Sequence, residues 1–543
     1  MNTRPQLLSD ELVRRFIADG FIVLHAEVPA SVNEEITREL HFSLKNESKW
    51  LGDNLLPRVP SLDKVLKSPC VVGALRSLLG PEFAWAPHRF PHNSEPLDDP
   101  NDVTDFDPFE NQPVMGKGSI SGSGWHQDGH SKAARSRWHT FKAINVFYFP
   151  HDVPLEMGPT RVLGGSHLYA TLRDAKASQV FHQPLEAGTV IVADFDLGHA
   201  GTPNRTAQTR YMLKFVALRM RQPQRPSWHC QDPSWSAPQD LLSPTNIPQA
   251  WETLWDWLRG DAMKPDQSDC SSVSMPDLLA AMDSADNETR LGALYDLVRK
   301  GEIAVEPLVS KLLSTAGQDR HISPAQNDPG YYAMSPDPLQ RRYSQRQFVP
   351  EDAAIALGAI GGPSLGVLKQ LLHHDDPWIR INAVYAMGEL GDAVSPSDAD
   401  LAGSLLADEL HQVVRATADA LCWVPYGAAT LQRIRHLLTQ SREDWQMAAM
   451  GEPNLGGRWT IENQTRYALA WALRARATAP NPPAELEDVM VAALQYESGY
   501  TPAVLCQGLE TLGTTRGLKA AVQYLQPRRW DAFSFEPPKE RAG

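Results

Sequence analysis

The stretches GSGWHQDGH at residues 122–130 and VADFDLGHAGTPNRTAQTR at residues 192–210 place three candidate metal ligands in this chain of 543 residues. His126 and Asp128 are two residues apart, so on an extended strand both side chains project from the same face. His199 supplies another imidazole from a distant strand. Two histidines and one carboxylate on one face of an octahedron leave three positions open, as is typical of non-haem Fe(II) that holds a cosubstrate and O2. The spacing therefore predicts a single metal site with oxygen chemistry.

Arg210 follows His199 by eleven residues and precedes the apolar run YMLKFV at residues 211–216. The run predicts a buried strand. An arginine on a buried strand requires an anion, and its planar guanidinium matches a carboxylate bidentately. We therefore expect Arg210 to point into the cavity that holds the metal and to bind the far carboxylate of a dicarboxylate cosubstrate.

Motifs around these residues resemble the phytanoyl-CoA dioxygenase family of Fe(II)- and 2-oxoglutarate-dependent oxygenases over about the first 220 residues. Residues 8–23 are similar to the family's N-terminal helix and first strand. WHQDGH, then MGPT at 157–160, GGSH at 164–167 and HAGTPNRTAQTR follow in the family's order. The family more often has Pro-Gly-Ser-His at the position of GGSH, so we expect this loop to differ in shape while the ligand set is unaffected.

The resemblance implies a chemistry and a role for four residues. It implies that His126, Asp128 and His199 bind Fe(II), and that Arg210 binds the C5 carboxylate of 2-oxoglutarate. With O2 as the other cosubstrate, the implied reaction oxidises a C–H bond of a small molecule and releases succinate and CO2. Hydroxylation, desaturation and ring closure all stay open. Related halogenases have a small residue in place of the carboxylate, so Asp128 argues against halogenation.

Other polar residues near these motifs are weaker candidates. Thr160 and Thr202 could each offer a hydroxyl group to the cosubstrate. His130 continues the alternation from His126, but a further ligand would close a site that has to stay open. Asn204 is better suited to orienting the loop after His199 through bonds to the backbone. The remaining histidines are expected to be surface or packing residues.

Composition narrows the classes of protein to which the chain can belong. Apolar residues make up 42% and charged residues 21%, which is enough to bury sizeable cores. A formal charge of −14 argues against nucleic acid as a partner. No apolar run long enough to cross a membrane is present, and no signal sequence is recognisable. The cysteines are scattered, without a CxxC pair, and are expected to be reduced. We therefore expect a cytoplasmic protein.

The chain is too long for one core and is expected to be a multidomain α+β protein. Short β-like segments such as 140–149 and 188–193, separated by turns, predict a double-stranded β-helix, a jelly-roll or cupin-like barrel, with flanking helices. We assign residues 1–230 to this oxygenase-like domain and the Pro-, Ser- and Trp-rich residues 231–275 to a connector. Residues 276–480 are predicted to be helical repeats, and residues 481–543 a helical extension and tail.

The helical region contains an internal repeat of thirty residues. The pattern at 353–361 recurs at 383–391, and its small residues resemble those of HEAT repeats, which stack helix pairs into an all-α solenoid. Polar insertions at about 315–350 and 440–464 are candidate binding loops. Such a solenoid could recruit a protein or a carrier-bound substrate, and the chain would then act mainly as a scaffold or ligand-binding module. It could equally be a rigid lid or a dimerisation surface.

Overall fold

The computed structural model describes residues 4–46, 55–99, 125–128, 136–261 apart from 171, 173, 174 and 176, 273–318, 348–446, 460–495 and 499–527. Two antiparallel sheets lie in the N-terminal half, and the C-terminal half is helical. The chain is therefore an α+β protein with a helical C-terminal region, as predicted. His130, Cys270 and most of the predicted insertions at 315–350 and 440–464 lie outside the described residues.

The sheets are built from short strands joined by turns. The larger sheet has the order β1-β6-β3-β8-β2, and the smaller has the order β5-β4-β7. The predicted β segments at 140–149 and 188–193 contain β3 and β6. The strands are β1 (Phe21–His25), β2 (Ala84–Ser94), β3 (Ala143–Tyr148), β4 (Arg161–Leu163), β5 (Val180–Phe181), β6 (Thr189–Asp194), β7 (His199–Ala200) and β8 (Arg210–Leu218).

Strand β8 is the strand most relevant to the site. It lies between β3 and β2 and pairs antiparallel with both. All its residues are buried, which explains its nearly continuous apolar sequence. The two polar exceptions with long charged side chains, Arg210 and Lys214, are four residues apart and therefore share one face of the strand.

Helices flank the sheets before β3. Helix α1 begins after Ser9, whose side chain accepts a hydrogen bond from Leu12 N, and ends at Gly20, whose φ of 79° suits glycine. The chain then enters β1 directly, as the family resemblance implies. These helices are α1 (Asp10–Asp19), α2 (Ala30–Asn46), α3 (Leu55–Arg58), α4 (Leu62–Leu66) and α5 (Pro69–Leu79).

Tryptophans at the end of the predicted oxygenase domain and in the connector that follows it pack against α1. Trp228 Nε1 donates to Asp10 Oδ1 at 2.7 Å. The guanidinium of Arg14 lies 4.8 Å from the ring centroid of Trp255, which belongs to α6 (Pro248–Arg259). Trp228 and Trp255 are themselves in edge contact, with centroids 5.1 Å apart. This segment is therefore part of the core around α1.

The helical region stacks successive helices in the manner of HEAT repeats. Asp376 accepts a hydrogen bond from Trp378 N and Pro377 occupies the first turn of α12 (Pro377–Leu390), so this dipeptide starts the helix. Arginines connect successive repeats, as in the 2.7 Å ion pair of Arg290 with Asp352. The helices are α7 (Met275–Ala281), α8 (Asn287–Arg299), α9 (Val305–Leu313), α10 (Asp352–Ile360), α11 (Leu365–Leu371), α12 (Pro377–Leu390), α13 (Pro396–Ala402), α14 (His411–Ala420), α15 (Ala428–Thr439), α16 (Ile461–Ala477), α17 (Leu486–Leu494), α18 (Thr501–Leu512) and α19 (Thr515–Leu525).

One bent pair of helices among the described residues has the length and composition that a membrane-spanning helix needs. No single helix there is both long and apolar enough to cross a bilayer, whereas Asp352–Ile360 and Gly362–Leu371 together meet the length and composition test across a bend of 115°.

Protonation of a histidine between the sheets and the helices is expected to destabilise the protein at acidic pH. Burial, together with Arg290 and Arg137, lowers the pKa of His139 to about 3 despite the opposing effect of Asp352. Its Nδ1 lies 2.9 Å from Tyr295 Oη. Below pH 6.5 the unfolded chain binds a proton that the folded chain does not bind, so stability falls as the pH drops towards 3, by about 2 kcal/mol at pH 5.

Thermal unfolding at pH 7.5 and 5.0 checks this expectation. The melting temperature of His139→Gln should depend less on pH than that of the wild type, whereas His436→Gln, at an exposed position, should keep the wild-type dependence. An identical pH dependence in the wild type and His139→Gln would contradict it.

Candidate metal centre

His126, Asp128 and His199 form a cluster whose ligand atoms all lie within 4.8 Å of one another. His126 Nε2 is 3.7 Å from Asp128 Oδ1, and His199 Nε2 is 3.7 Å from Asp128 Oδ2. An ion about 2.1 Å from each of two adjacent octahedral ligands would separate them by about 3 Å, so a small inward movement suffices. The three residues predicted from the sequence therefore do come together.

Backbone pairing brings the two histidines together. His126 and His199 exchange reciprocal N–H···O bonds of 3.0 Å in an isolated antiparallel bridge, and their ring centroids are 4.3 Å apart. His199 comes from β7, so the expected ligand from a distant strand is found. The expected strand around His126 is only this single bridge, and Asp128 lies in a turn of 3-10 type. Asp128 nevertheless reaches the same point as both imidazoles.

Burial and hydrogen bonding prepare His199 to act as a ligand. Its Nδ1 lies 3.0 Å from the carbonyl oxygen of Leu197, which directs Nε2 toward Asp128. Burial and the adjacent imidazole of His126 lower the pKa of His199 to about 3. The ring is therefore neutral at pH 7, as coordination requires. The His126 side chain is 31% exposed, so this side of the cluster is accessible.

Asp128 is held by two residues that the sequence analysis did not single out. Asn145 Nδ2 donates to Asp128 Oδ2 at 2.7 Å, and the ammonium group of Lys214 donates to the same oxygen. Burial alone would raise the pKa of Asp128, but Lys214, His199 and His126 outweigh it and lower that pKa well below its usual range. The carboxylate is thus ionised at neutral pH and fixed in orientation.

Arg210 is a buried cation whose guanidinium pairs with no carboxylate in the part of the chain that the structure describes. It begins β8 and is 5% exposed, and one terminal nitrogen donates to the carbonyl oxygen of Gly158. Its Nε has no hydrogen-bond partner there. Burial lowers its pKa to about 10, which still leaves it charged at neutral pH. This is the environment expected of an arginine that binds an anionic ligand.

A cavity of about 540 Å³ connects the cluster with Arg210. His126, His199, Arg210 and Lys214 line it, together with both predicted threonines. Thr160 has a buried hydroxyl group with no partner among the described residues. Thr202 donates its hydroxyl proton to Pro159 O at 2.6 Å, so it has no proton left to offer a carboxylate.

Asn204 and Trp125, two further residues near the cluster, have structural roles. Asn204 donates to Ser94 O and Gln208 O and accepts from Thr206 N, which confirms its expected role in shaping the loop after His199. Trp125 is buried, and the guanidinium of Arg161 lies over its ring at 4.9 Å, so it packs in the core.

Comparison with protein families gives two matches. Residues 65–212 match the phytanoyl-CoA dioxygenase (PhyH) family, and residues 340–422 match HEAT repeats. With the ligand cluster in view, the protein is an enzyme of the non-haem Fe(II)/2-oxoglutarate-dependent oxygenase class. Within that class, residues 65–212 are similar to the phytanoyl-CoA dioxygenase (PhyH) family, and residues that match HEAT repeats follow them. The alternative of a scaffold without chemistry is not favoured.

Solved structures resemble part of the chain at low identity. They include the non-haem monooxygenase ThoJ with nickel (19% identity, 38% of this chain and 77% of that one, TM-score 0.27). Another is the carbocyclase SnoK from nogalamycin biosynthesis (15% identity, 40% of this chain and 87% of that one, TM-score 0.29). A third is EctD from S. alaskensis with 2-oxoglutarate and 5-hydroxyectoine (16% identity, 40% of this chain and 83% of that one, TM-score 0.30). A search of curated proteins gives no match. Similarity at this level identifies no substrate.

Proposed function

We propose that this enzyme oxidises a C–H bond of a small molecule, with Fe(II) held by His126, Asp128 and His199 and 2-oxoglutarate held at its far end by Arg210. The observation that carries the proposal is the buried guanidinium of Arg210, which pairs with no carboxylate among the described residues and lies in the same cavity as the ligand cluster. In this proposal the two sheets form a double-stranded β-helix whose interior contains the site.

The donor set fits the metal that the family uses. Two imidazoles and one carboxylate suit Fe(II), and three protein ligands would leave coordination positions for the cosubstrates. When bound, the metal would supply oxidative decarboxylation of the keto acid, with succinate and CO2 as products. Asn145 and Lys214 would keep Asp128 ionised and oriented, as second contacts to metal ligands commonly do.

The far end of the cavity suits a dicarboxylate. Arg210 would pair with the C5 carboxylate, and the free hydroxyl group of Thr160 would donate a hydrogen bond beside it. Thr202 would contribute only as an acceptor or by shaping the wall, because its proton is already used. The burial of Arg210 would strengthen the charge pairing.

The size of the cavity supports a small substrate. About 540 Å³ falls in the range of pockets for metabolite-sized ligands and must accommodate 2-oxoglutarate as well. Polar residues of β2 and the loop after it, among them His92, Asn93 and Glu95, line the remaining wall. A compact, polar molecule is therefore proposed, and hydroxylation is the simplest outcome. A protein or carrier partner for the HEAT repeats stays a prediction.

An anaerobic titration tests the proposal without knowledge of the substrate. Metal-free protein receives Fe(II) and then 2-oxoglutarate, and the visible charge-transfer band of an iron-chelated keto acid is followed. We expect a saturable band with 2-oxoglutarate and none with succinate, which lacks the keto group. Well-folded protein that gives no band at any 2-oxoglutarate concentration would refute the proposal.

A further inference from the structure

The segment Ser136–Lys142, here called the junction segment, connects the neighbourhood of the metal cluster to the helical repeats. It precedes β3 directly and follows Asp128 by only a few residues in the chain. Six of its seven residues contact the helical region, whereas Phe141 faces the sheet side and packs on Phe16 of α1. The contacts are Ser136 with Asp419, Arg137 with Phe348, Trp138 with Tyr385 and Trp423, His139 with Tyr295, and Thr140 and Lys142 with Glu389.

Glu389, near the end of α12, contacts two residues of the junction segment at once. Thr140 Oγ1 donates to its two carboxylate oxygens at 3.2 and 2.9 Å, and Lys142 Nζ lies 2.8 Å from Oε1. The side chains of Lys142 and Glu389 are only 4% and 10% exposed. Removing either partner of a buried ion pair destabilises a protein strongly, because the other charge is then buried without a counterion. Lys142 and Glu389 therefore have to stay together in the folded protein.

The first residue of the junction segment is fixed in the same way. Asp419 Oδ2, from α14, accepts hydrogen bonds from both Ser136 N and Ser136 Oγ, at 2.9 and 3.1 Å. Trp138 stacks on Tyr385 with ring centroids 4.2 Å apart. A Cβ atom added to Gly388 would lie 3.2 Å from Trp138, so glycine allows this close approach. The solenoid thus holds both ends of the segment.

The junction segment is linked to the metal ligands through β3, the strand that follows it directly. This strand begins at Ala143, and its Asn145 donates to Asp128. On the far side of β8, the helical region also touches β2, where Gln507 Nε2 donates to Trp85 O at 3.0 Å. The helical region therefore contacts β2 directly and contacts the residues that lead into β3, and these two strands flank β8, the strand that presents Arg210 and Lys214.

We propose that the HEAT-like solenoid acts on its own chain, with Glu389 and Asp419 as positioning residues that hold the junction segment so that Asp128 and Asn145 keep the geometry needed to bind the metal. The proposal rests on the proposed function only in taking His126, Asp128 and His199 as the ligands. It gives the solenoid a task in building the site that requires no partner. Recruitment of another molecule would then use other surfaces of the repeats.

The test measures metal affinity in the full-length protein, with Co(II) as the probe and its visible absorption as the readout. Glu389→Gln removes the charge that pairs with Lys142 and keeps the volume. Because Glu389 acts on Asp128 only through the junction segment and β3, we expect the Co(II) Kd of this variant to rise by more than about twofold, up to the roughly 10-fold seen when a direct contact to a metal ligand is lost. Because binding rather than turnover is measured, the result does not depend on the substrate.

Glu462→Gln is the matched control. Glu462 is also a buried glutamate of the solenoid, but it pairs with Arg466 on its own helix α16 at 3.0 Å. It should lower thermal stability and leave the Co(II) Kd unchanged. Should Glu389→Gln fail to fold, Thr140→Val can be used in its place. It removes the hydroxyl group of the junction segment that donates to Glu389, and we expect it to weaken Co(II) binding by a smaller factor.

The outcomes separate the two proposals. Wild-type protein that binds no Co(II) would overturn the metal site and, with it, the positioning role. Wild-type binding together with a Kd within about twofold of wild type in Glu389→Gln, or in Thr140→Val where that variant has to be used, would overturn the positioning role alone. A loss of affinity shared equally by Glu462→Gln would also overturn it, because the effect would then reflect general destabilisation.

Discussion

Replacing His199 with alanine should abolish Fe(II) binding at micromolar metal and, with it, all 2-oxoglutarate turnover. The substitution removes one of three donors from a site in which Lys214 already engages the remaining carboxylate. Loss of a residue that merely contacts a ligand costs about 10–100-fold in metal affinity, so loss of the ligand itself should cost at least about 100-fold. Equilibrium dialysis of iron against the apo variant measures the effect directly.

His229→Ala provides the control for this experiment. Its side chain is exposed in the same half of the chain, and only its backbone contributes to the bridge with Ser9. It should bind iron as the wild type does. Iron affinity retained in His199→Ala would exclude the proposed ligand set, provided that circular dichroism shows the variant to be folded.

Replacing Arg210 with alanine should weaken 2-oxoglutarate binding while leaving iron binding intact. The guanidinium is buried and bonds to Gly158 O, away from the three metal ligands, so on the proposed function its loss would leave the far carboxylate of the cosubstrate buried without a counterion. Breaking a buried charge pair costs roughly 3–5 kcal/mol, corresponding to a Kd raised by about 100-fold or more. The concentration dependence of the charge-transfer band gives this Kd.

Two further variants make the result specific to charge and position. Arg210→Lys keeps the charge but loses the bidentate fork and should fall between the wild type and alanine. Arg205→Ala, at an exposed arginine of the neighbouring loop, should behave like the wild type. A 2-oxoglutarate Kd that is unchanged in Arg210→Ala would remove Arg210 from the cosubstrate site.

The spacing of polar residues was sufficient to predict the cluster and the buried arginine. His126, Asp128, His199 and Arg210 lie in two short stretches, and both the ligand chemistry and the family resemblance pointed to them. Their assembly needs only one backbone bridge and the start of one strand. The thirty-residue repeat similarly predicted stacked helices, because its small residues recur where helices approach closely.

Lys214 and Asn145 were missed because their burial depends on the sheet. A lysine within YMLKFV normally turns its ammonium group to water, and only the position of β8 between two other strands buries it. Its spacing of four residues from Arg210 was the available signal, since both must then share a face. The contact between Thr140 and Glu389 spans 249 residues, and no local pattern encodes it.

The distance along the chain between Thr140 and Glu389 also orders events during synthesis. At about 5–20 residues per second, the ribosome needs roughly 12–50 s to make the 249 residues that separate them. During that interval Lys142 has no Glu389 to pair with, and its ammonium group must stay hydrated. Nascent chains that have finished every strand of the two sheets therefore still lack α12, and on the positioning proposal made above their metal centre would be completed only late in translation.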